Sequence, residues 1–292
     1  ENALEVSRNI GAKEGEKKAL YYLSKIFELQ GLFKESLKYH KNYHTIDIEM
    51  SRDMEIERLK TTQLKVAFNK IEEQKNELVD SIKYAERIQT AVLTSDQNQK
   101  LLKESFVFYQ PKDIVSGDFY WYHEKDDHFF LCVADCTGHG VPGAFLTMLG
   151  CTFLNEIITS REDISPSMVL DELRTKIIKS LSQSTDNGNR DGMDISMIRV
   201  NANTNIAEWA GANNPLVILR NSKSDAPQTE SKVKMLKNGS HNLYEIKGDK
   251  QPVSIASKMR PFTNHLIKLL PNDRVYLFSD GFSDQFGGKQ GK

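Results

Sequence analysis

From residue 17 to residue 93 the apolar positions recur every three or four residues, whereas beyond residue 105 they fall into short runs broken by Gly, Pro and Asn. The first pattern predicts helix, the second a mixture of short strands and helices. Leu20, Leu23, Ser24 and Phe27 precede Gly31, and Phe33, Ser36, Leu37, His40 and Tyr43 follow it at helical spacing. Two helices hinged at Gly31 are expected over 17–47, with large residues alternating with small ones so that the pair packs closely. From Ile48 the helical pattern runs on without a stop. Leu64, Ile71, Leu78, Ala85 and Val92 recur every seven residues, with Phe68 and Ile82 on a second stripe that Lys75 and Gln89 interrupt. That spacing predicts a coiled coil of modest stability; a single amphipathic helix lying on the next domain would show the same spacing. Beyond it, His128–Ala134 and Arg274–Ser279 read as buried strands, and about 142–159 and 166–183 as consecutive helices.

Composition sharpens the division. All eight prolines, both tryptophans and 14 of the 17 glycines lie beyond residue 93. With 292 residues, about two domains are expected. Apolar residues make up 39% and charged residues 27%, which is a soluble globular composition. Lys and Arg number 39 against 40 Asp and Glu, split 16 to 16 up to residue 93 and 23 to 24 after it. Neither part carries a field that would gather nucleic acid or anionic lipid. No apolar run approaches the ~20 residues of a membrane span, and no signal peptide opens the chain. Cys132, Cys136 and Cys151 are odd in number and at no zinc spacing, which suits a reducing cytoplasm. Secreted, membrane-spanning, disulfide-stapled and nucleic-acid-coating readings drop out.

Three segments could carry chemistry. They are Val115-Ser116-Gly117-Asp118-Phe119-Tyr120-Trp121, Val133-Ala134-Asp135-Cys136-Thr137-Gly138-His139-Gly140, and Val275-Tyr276-Leu277-Phe278-Ser279-Asp280-Gly281. Each sets an aspartate at or near a strand end beside glycine. A carboxylate there is costly unless a cation or strong donors meet it, and glycine lets the backbone approach a ligand. One such motif is usually a turn, but three in one domain point to converging carboxylates. Without an accompanying thiolate or imidazole set, they would suit Mg²⁺ or Mn²⁺ rather than zinc.

Together these residues resemble the SpoIIE-like branch of the metal-dependent protein serine/threonine phosphatases of the type 2C (PPM) family, over roughly 105–288. The resemblance rests on Pro111–Trp121, on Asp135-x-x-Gly138-x-Gly140-x-Pro142-Gly143-Ala144, on Trp209-Ala210-Gly211-Ala212-Asn213-Asn214-Pro215, and on Phe278-Ser279-Asp280-Gly281-Phe282. It implies an α+β fold: an αββα sandwich of two antiparallel sheets flanked by helices, with a two-metal Mn²⁺ or Mg²⁺ site at one edge. Asp135 would bridge both metals, the Asp118 carboxylate and the Cys136 carbonyl would hold one, and Asp280 the other. A water activated by the two metals would attack phosphoserine or phosphothreonine in line. Lys112 is the candidate to clamp the phosphate. His139 could protonate the leaving alkoxide, or cap the next helix. The kin imply a phosphorylated partner protein as substrate, such as an anti-sigma-factor-antagonist-like switch protein. Residues 17–47 resemble a tetratricopeptide repeat, which implies an upstream sensor partner. The expected plan is a repeat module over 1–47, a coiled-coil helix over 48–93 that makes a homodimer, a linker at 94–104, and a phosphatase domain at 105–292 that lacks its C-terminal part. The family's last metal carboxylate would follow Lys292, so the chain as it stands is expected to hold one metal tightly and one weakly.

Three rivals remain on the sequence. Gly138-x-Gly140-x-x-Gly143 follows a strand and opens a helix, as a dinucleotide fingerprint does, but it leads to a second helix and not to a parallel strand. Asp191 and Asp194 read as turn and strand-start residues near the site, or as ligands of an accessory metal. A dimeric scaffold carrying a degenerate phosphatase domain is the alternative from another class.

Overall fold

A computed structural model describes residues 2–93, 105–184, 188–229 and 233–282; the 94–104 linker and the Gly287–Lys292 end lie outside these. The chain divides into two compact units, Glu1–Leu78 and Val79–Lys292.

The first unit is helical: α1 (Asn2–Asn9), α2 (Lys13–Leu29) and the start of α3 (Phe33–Leu93). Gly31 turns the chain between α2 and α3 with φ +76°, a left-handed conformation that suits a residue without Cβ. The small residues are where these helices touch: Ser36 Oγ donates to the Ser24 carbonyl at 2.9 Å. Leu4, Leu20 and Leu23 form the core, and Phe27 and Tyr39 stack with ring centroids 5.3 Å apart.

Helix α3 is continuous for 61 residues. The division falls inside it at Leu78 and not after residue 93, because its last turns are bound to the sheets. Gln89 is only 4% exposed, and Val92 and Leu93 pack against the main core. Val92, expected on the coiled-coil seam, is therefore turned to the second unit. Leu64, Ile71 and Leu78 remain exposed.

The second unit holds two antiparallel sheets. Its strands are β1 (Asp118–Lys125), β2 (His128–Cys136), β3 (Met193–Asn201), β4 (Ile206–Ala212), β5 (Leu216–Asn221), β6 (Val233–Asn238), β7 (His241–Ile246), β8 (His265–Lys268) and β9 (Arg274–Tyr276). The five-stranded sheet runs β1-β2-β3-β4-β8, the four-stranded sheet β6-β7-β5-β9. Helices α4 (Gly140–Ser160) and α5 (Pro166–Ser180) cover the outer face of the five-stranded sheet. The last turn of α3 adds Val92 and Leu93 to the same core. Ser165 caps α5 and Pro166 occupies its first turn, where a missing N–H costs nothing.

Strand alternation sorts the side chains between two cores. Phe119, Trp121, Phe130, Cys132, Met193, Ile195 and Met197 pack with Leu154, Ile157 and Leu170 of the helices. Phe129, Leu131, Ile198, Val200 and Trp209 pack with Leu216, Ile218 and Tyr244 of the other sheet. Each fully buried side chain of this size contributes about 1.5–3 kcal/mol. Contrary to the sequence expectation, one helix of 21 residues, α4, is long and apolar enough to cross a membrane. Half of its apolar window is buried in this core, as befits a helix wedged between a sheet and α5.

Candidate active site

Register places three carboxylates in one row. Asp118, the first residue of β1, faces Asp135 of β2, and Asp135 faces Asp194 of β3. All three take the parity of the inter-sheet face, since their neighbours Phe119, Ala134, Cys136, Met193 and Ile195 point to the helices. Directly opposed side chains on one face have Cβ atoms about 4.5–5.5 Å apart, so the row forms one acidic edge. Asp280 joins it from the four-stranded sheet, opening a 3-10 turn (Asp280–Phe282) after β9. The Asp135 carboxyl comes within reach of those of Asp118 and Asp280, and Ser279 Oγ donates to Asp118 Oδ2 at 2.8 Å.

The row is electrostatically costly. Burial first, then the Asp118 charge and the hydrogen bonds of both partners, push the Asp135 carboxyl up to about 8. Asp194 is raised as well: burial dominates, the hydrogen bond from Asn213 opposes it, and the Asp280 charge adds to it.

Glycine backbones make the close approach possible. A Cβ on Gly117 would stand 2.5 Å from the Gly138 carbonyl and 3.3 Å from that of Cys136; one on Gly143 would stand 2.5 Å from the Gly138 carbonyl. Gly138 itself adopts φ +84°. These contacts pin the turn after Asp135 against the residue before Asp118. Buried Thr147 on α4 donates to the carbonyls of Ser116 and Gly117, at 3.1 and 2.9 Å. From α3, Gln89 Nε2 donates to the Ser116 carbonyl at 2.7 Å, and its Oε1 accepts from the Ser116 N–H at 3.0 Å.

The structure thus brings Asp118, Asp135 and Asp280 together and sets the Cys136 carbonyl beside Gly117. The Cys136 thiol faces the helices, buried near Thr147, and burial pushes it well up, so sulfur has no part in the acidic edge. His139 occupies the N-cap position of α4 but makes no side-chain cap bond; its Nδ1 lies 2.7 Å from Asp113 Oδ2 instead. Lys112 is exposed on the loop before β1, and Asp191 is exposed at the approach to β3. Asp194 lies at the start of β3, as expected, and belongs in the row. The signal was the alternation Met193-Asp194-Ile195-Ser196-Met197, which marks Asp194 as facing away from the helix-side core. The dinucleotide reading fails because α4 leads to α5 and every named strand pair is antiparallel.

Among the described residues, no three His, Cys, Asp or Glu side chains are spread as ligands around a common point. The carboxylates close on one another instead. Their chemistry still fits a hard divalent cation: every donor is oxygen, and Asp135 is half-buried among like charges with no salt-bridge partner among the described residues.

Two stacked antiparallel sheets with paired helices and an acidic edge are consistent with the PP2C phosphatase fold. The SiaA-PP2C domain of Pseudomonas aeruginosa matches at 29% identity with a TM-score of 0.60, covering 74% of this chain and 77% of that one. The family model for Stage II sporulation protein E (SpoIIE) matches residues 125–292, more than half of the chain, and the protein belongs to that family. A structure of the PP2C phosphatase domain and a regulatory fragment of SpoIIE from Bacillus subtilis matches at 14% identity and TM-score 0.42, covering 57% and 41% of the two chains. No curated protein matches.

Proposed function

We propose that this protein is a metal-dependent phosphatase that hydrolyses phosphoserine or phosphothreonine on a partner protein. The observation that carries the reading is the convergence of Asp118 and Asp135 from adjacent strands with Asp280 from the other sheet. Asp135 would bridge two cations, Mn²⁺ or Mg²⁺; Asp118 and the Cys136 carbonyl would complete one site and Asp280 the other. When bound, such a pair supplies an activated water and neutralises charge on the phosphoryl oxygens. The chain's own part is to hold the carboxylates at a fixed separation, which the Gly117–Gly138–Gly143 contact does. Lys112 would meet the phosphate from the loop before β1. With its Nδ1 engaged by Asp113, His139 in its protonated form would keep Nε2–H free to give a proton to the leaving serine oxygen. His139→Asn should then slow hydrolysis of phosphoserine peptides more than of p-nitrophenyl phosphate, whose leaving group needs no proton.

The deciding experiment is phosphate release from a phosphoserine-bearing switch protein of the anti-sigma-factor-antagonist kind, with Mn²⁺ and with EDTA. Metal-dependent release supports the enzyme. Absence of release at millimolar Mn²⁺, with the partner still bound, would favour the scaffold.

The reading extends to regulation. Leu64, Ile71 and Leu78 lie one heptad apart and are each more than 60% exposed, which supports pairing with a second copy of α3. Replacing Ile71 and Leu78 with Asp should convert a micromolar dimer into monomers in sedimentation and change basal phosphatase activity by a few fold. A wild-type monomer under the same conditions would refute the pairing. The helices over 17–47 would take the upstream signal as a repeat module, and three buried free cysteines suit a reducing cytoplasm.

A further inference from the structure

We infer that Asp194 is a fourth carboxylate of the metal centre. The inference rests on the metal-dependent reading above and adds a residue to it.

Three observations converge. The β2–β3 register puts Asp194 directly opposite Asp135, on the face where Asp118 also stands. The β3–β4 register continues the row: Ile195 faces Ala212, which sets Asn213 beside Asp194. Asn213 Nδ2 donates to Asp194 Oδ1 at 2.8 Å, with Asn213 itself in the left-handed region at φ +57°. One oxygen of Asp194 is therefore fixed by an amide on the outer side of the row. Among the described residues no donor reaches the other oxygen, which is left for the side occupied by Asp135.

A half-buried carboxylate beside another aspartate, steadied by one neutral amide, is poorly explained as a device for holding Asn213. An asparagine or serine would accept the same bond without the cost of burying a charge. A ligand carboxylate oriented by a hydrogen bond from an outer amide is the arrangement that metal sites use.

The test is titration of the metal-free whole chain with Mn²⁺ alone, by calorimetry and by melting temperature, for wild type, Asp194→Asn and Asp135→Asn. Asp194→Asn keeps the shape and the acceptor for Asn213. It should melt no lower than wild type without metal, lose most of the Mn²⁺-induced rise in melting temperature, and bind the second Mn²⁺ at least about tenfold more weakly. A structural role predicts the opposite signs: a lower melting temperature without metal and unchanged Mn²⁺ binding. That result overturns the proposal while leaving the metal reading intact. Wild type that binds no Mn²⁺ overturns both, whereas loss of binding only in Asp135→Asn overturns the Asp194 proposal alone. Should Asp194→Asn not fold, Mn²⁺-soaked crystals of wild type decide the matter. Anomalous density should place Asp194 Oδ2 on a cation; density with Asp194 turned away refutes the assignment.

Discussion

Asp135→Asn should abolish turnover, by roughly a thousandfold or more at saturating Mn²⁺, and leave the fold standing. A thousandfold corresponds to ~4 kcal/mol of transition-state stabilisation, within what a metal pair supplies. Asp135 is the middle of the Asp118–Asp135–Asp194 row and lies close to Asp280 as well, so its charge would be shared by both proposed cations. Asn keeps the size and can still accept from one neighbour and donate to the other. The near-ultraviolet dichroism and the melting temperature of the metal-free protein should therefore match wild type. Calorimetry should show the Mn²⁺ heat lost, not merely weakened. Asp118→Asn and Asp280→Asn each strike one half of the centre, and excess Mn²⁺ should recover part of their activity. If Asp135→Asn turns over within tenfold of wild type, the acidic edge is not the reaction centre.

Much of this site was legible in the sequence because strand ends and glycines punctuate it. Asp118, Asp135 and Asp280 each close or open an apolar run beside glycine, and burying a carboxylate there needs a reason. The helix-to-helix connection after Gly143 was equally readable, since Pro142 and Pro166 mark helix starts in the first turn. What local pattern could not reveal is register. Asp194 reads as a strand-start residue from its own neighbours, and only the pairing of β2 with β3 shows that it faces Asp135. The apolar run Arg274–Ser279 extends beyond the strand; β9 ends at Tyr276, and the three residues after it leave the ladder to bring Ser279 and Asp280 to Asp118 and Asp135. Heptad spacing likewise could not say where α3 stops presenting a seam. A stripe continuing through Ala85 and Val92 looks the same whether a second helix or a sheet-bearing unit covers it, and here Val92 joins the main core. Polar residues carried the missing information. Gln89, which breaks the second stripe, is a fault in a coiled-coil seam but a hydrogen-bonding side chain where the helix meets a loop.

Gln89→Ala should destabilise the second unit by roughly 2–3 kcal/mol and weaken Mn²⁺ binding in the Asp118 half. Gln89 is 4% exposed and Ser116 6% exposed, so water cannot readily replace the lost bonds. The glutamine amide satisfies both the N–H and the carbonyl of Ser116, as a neighbouring strand would. Truncation leaves the Ser116 N–H buried without a partner, at ~1–3 kcal/mol, while its carbonyl keeps the bond from Thr147. A cavity the size of the lost amide adds to that cost. The functional consequence follows from position. Ser116 is two residues before Asp118, and Gly117 between them is held by backbone contacts too close to admit a Cβ. A shift at Ser116 should therefore pass to Asp118. Gln89→Glu separates packing from hydrogen bonding: the carboxylate still accepts from the N–H but repels the carbonyl, so it should be nearly as damaging as Ala despite filling the space. Gln63→Ala, exposed on the same helix, should change neither quantity. Urea denaturation and Mn²⁺ calorimetry on the three variants check these outcomes. Unchanged Mn²⁺ affinity in Gln89→Ala, with stability lowered as expected, would mean that the helix holds the loop without steering the site.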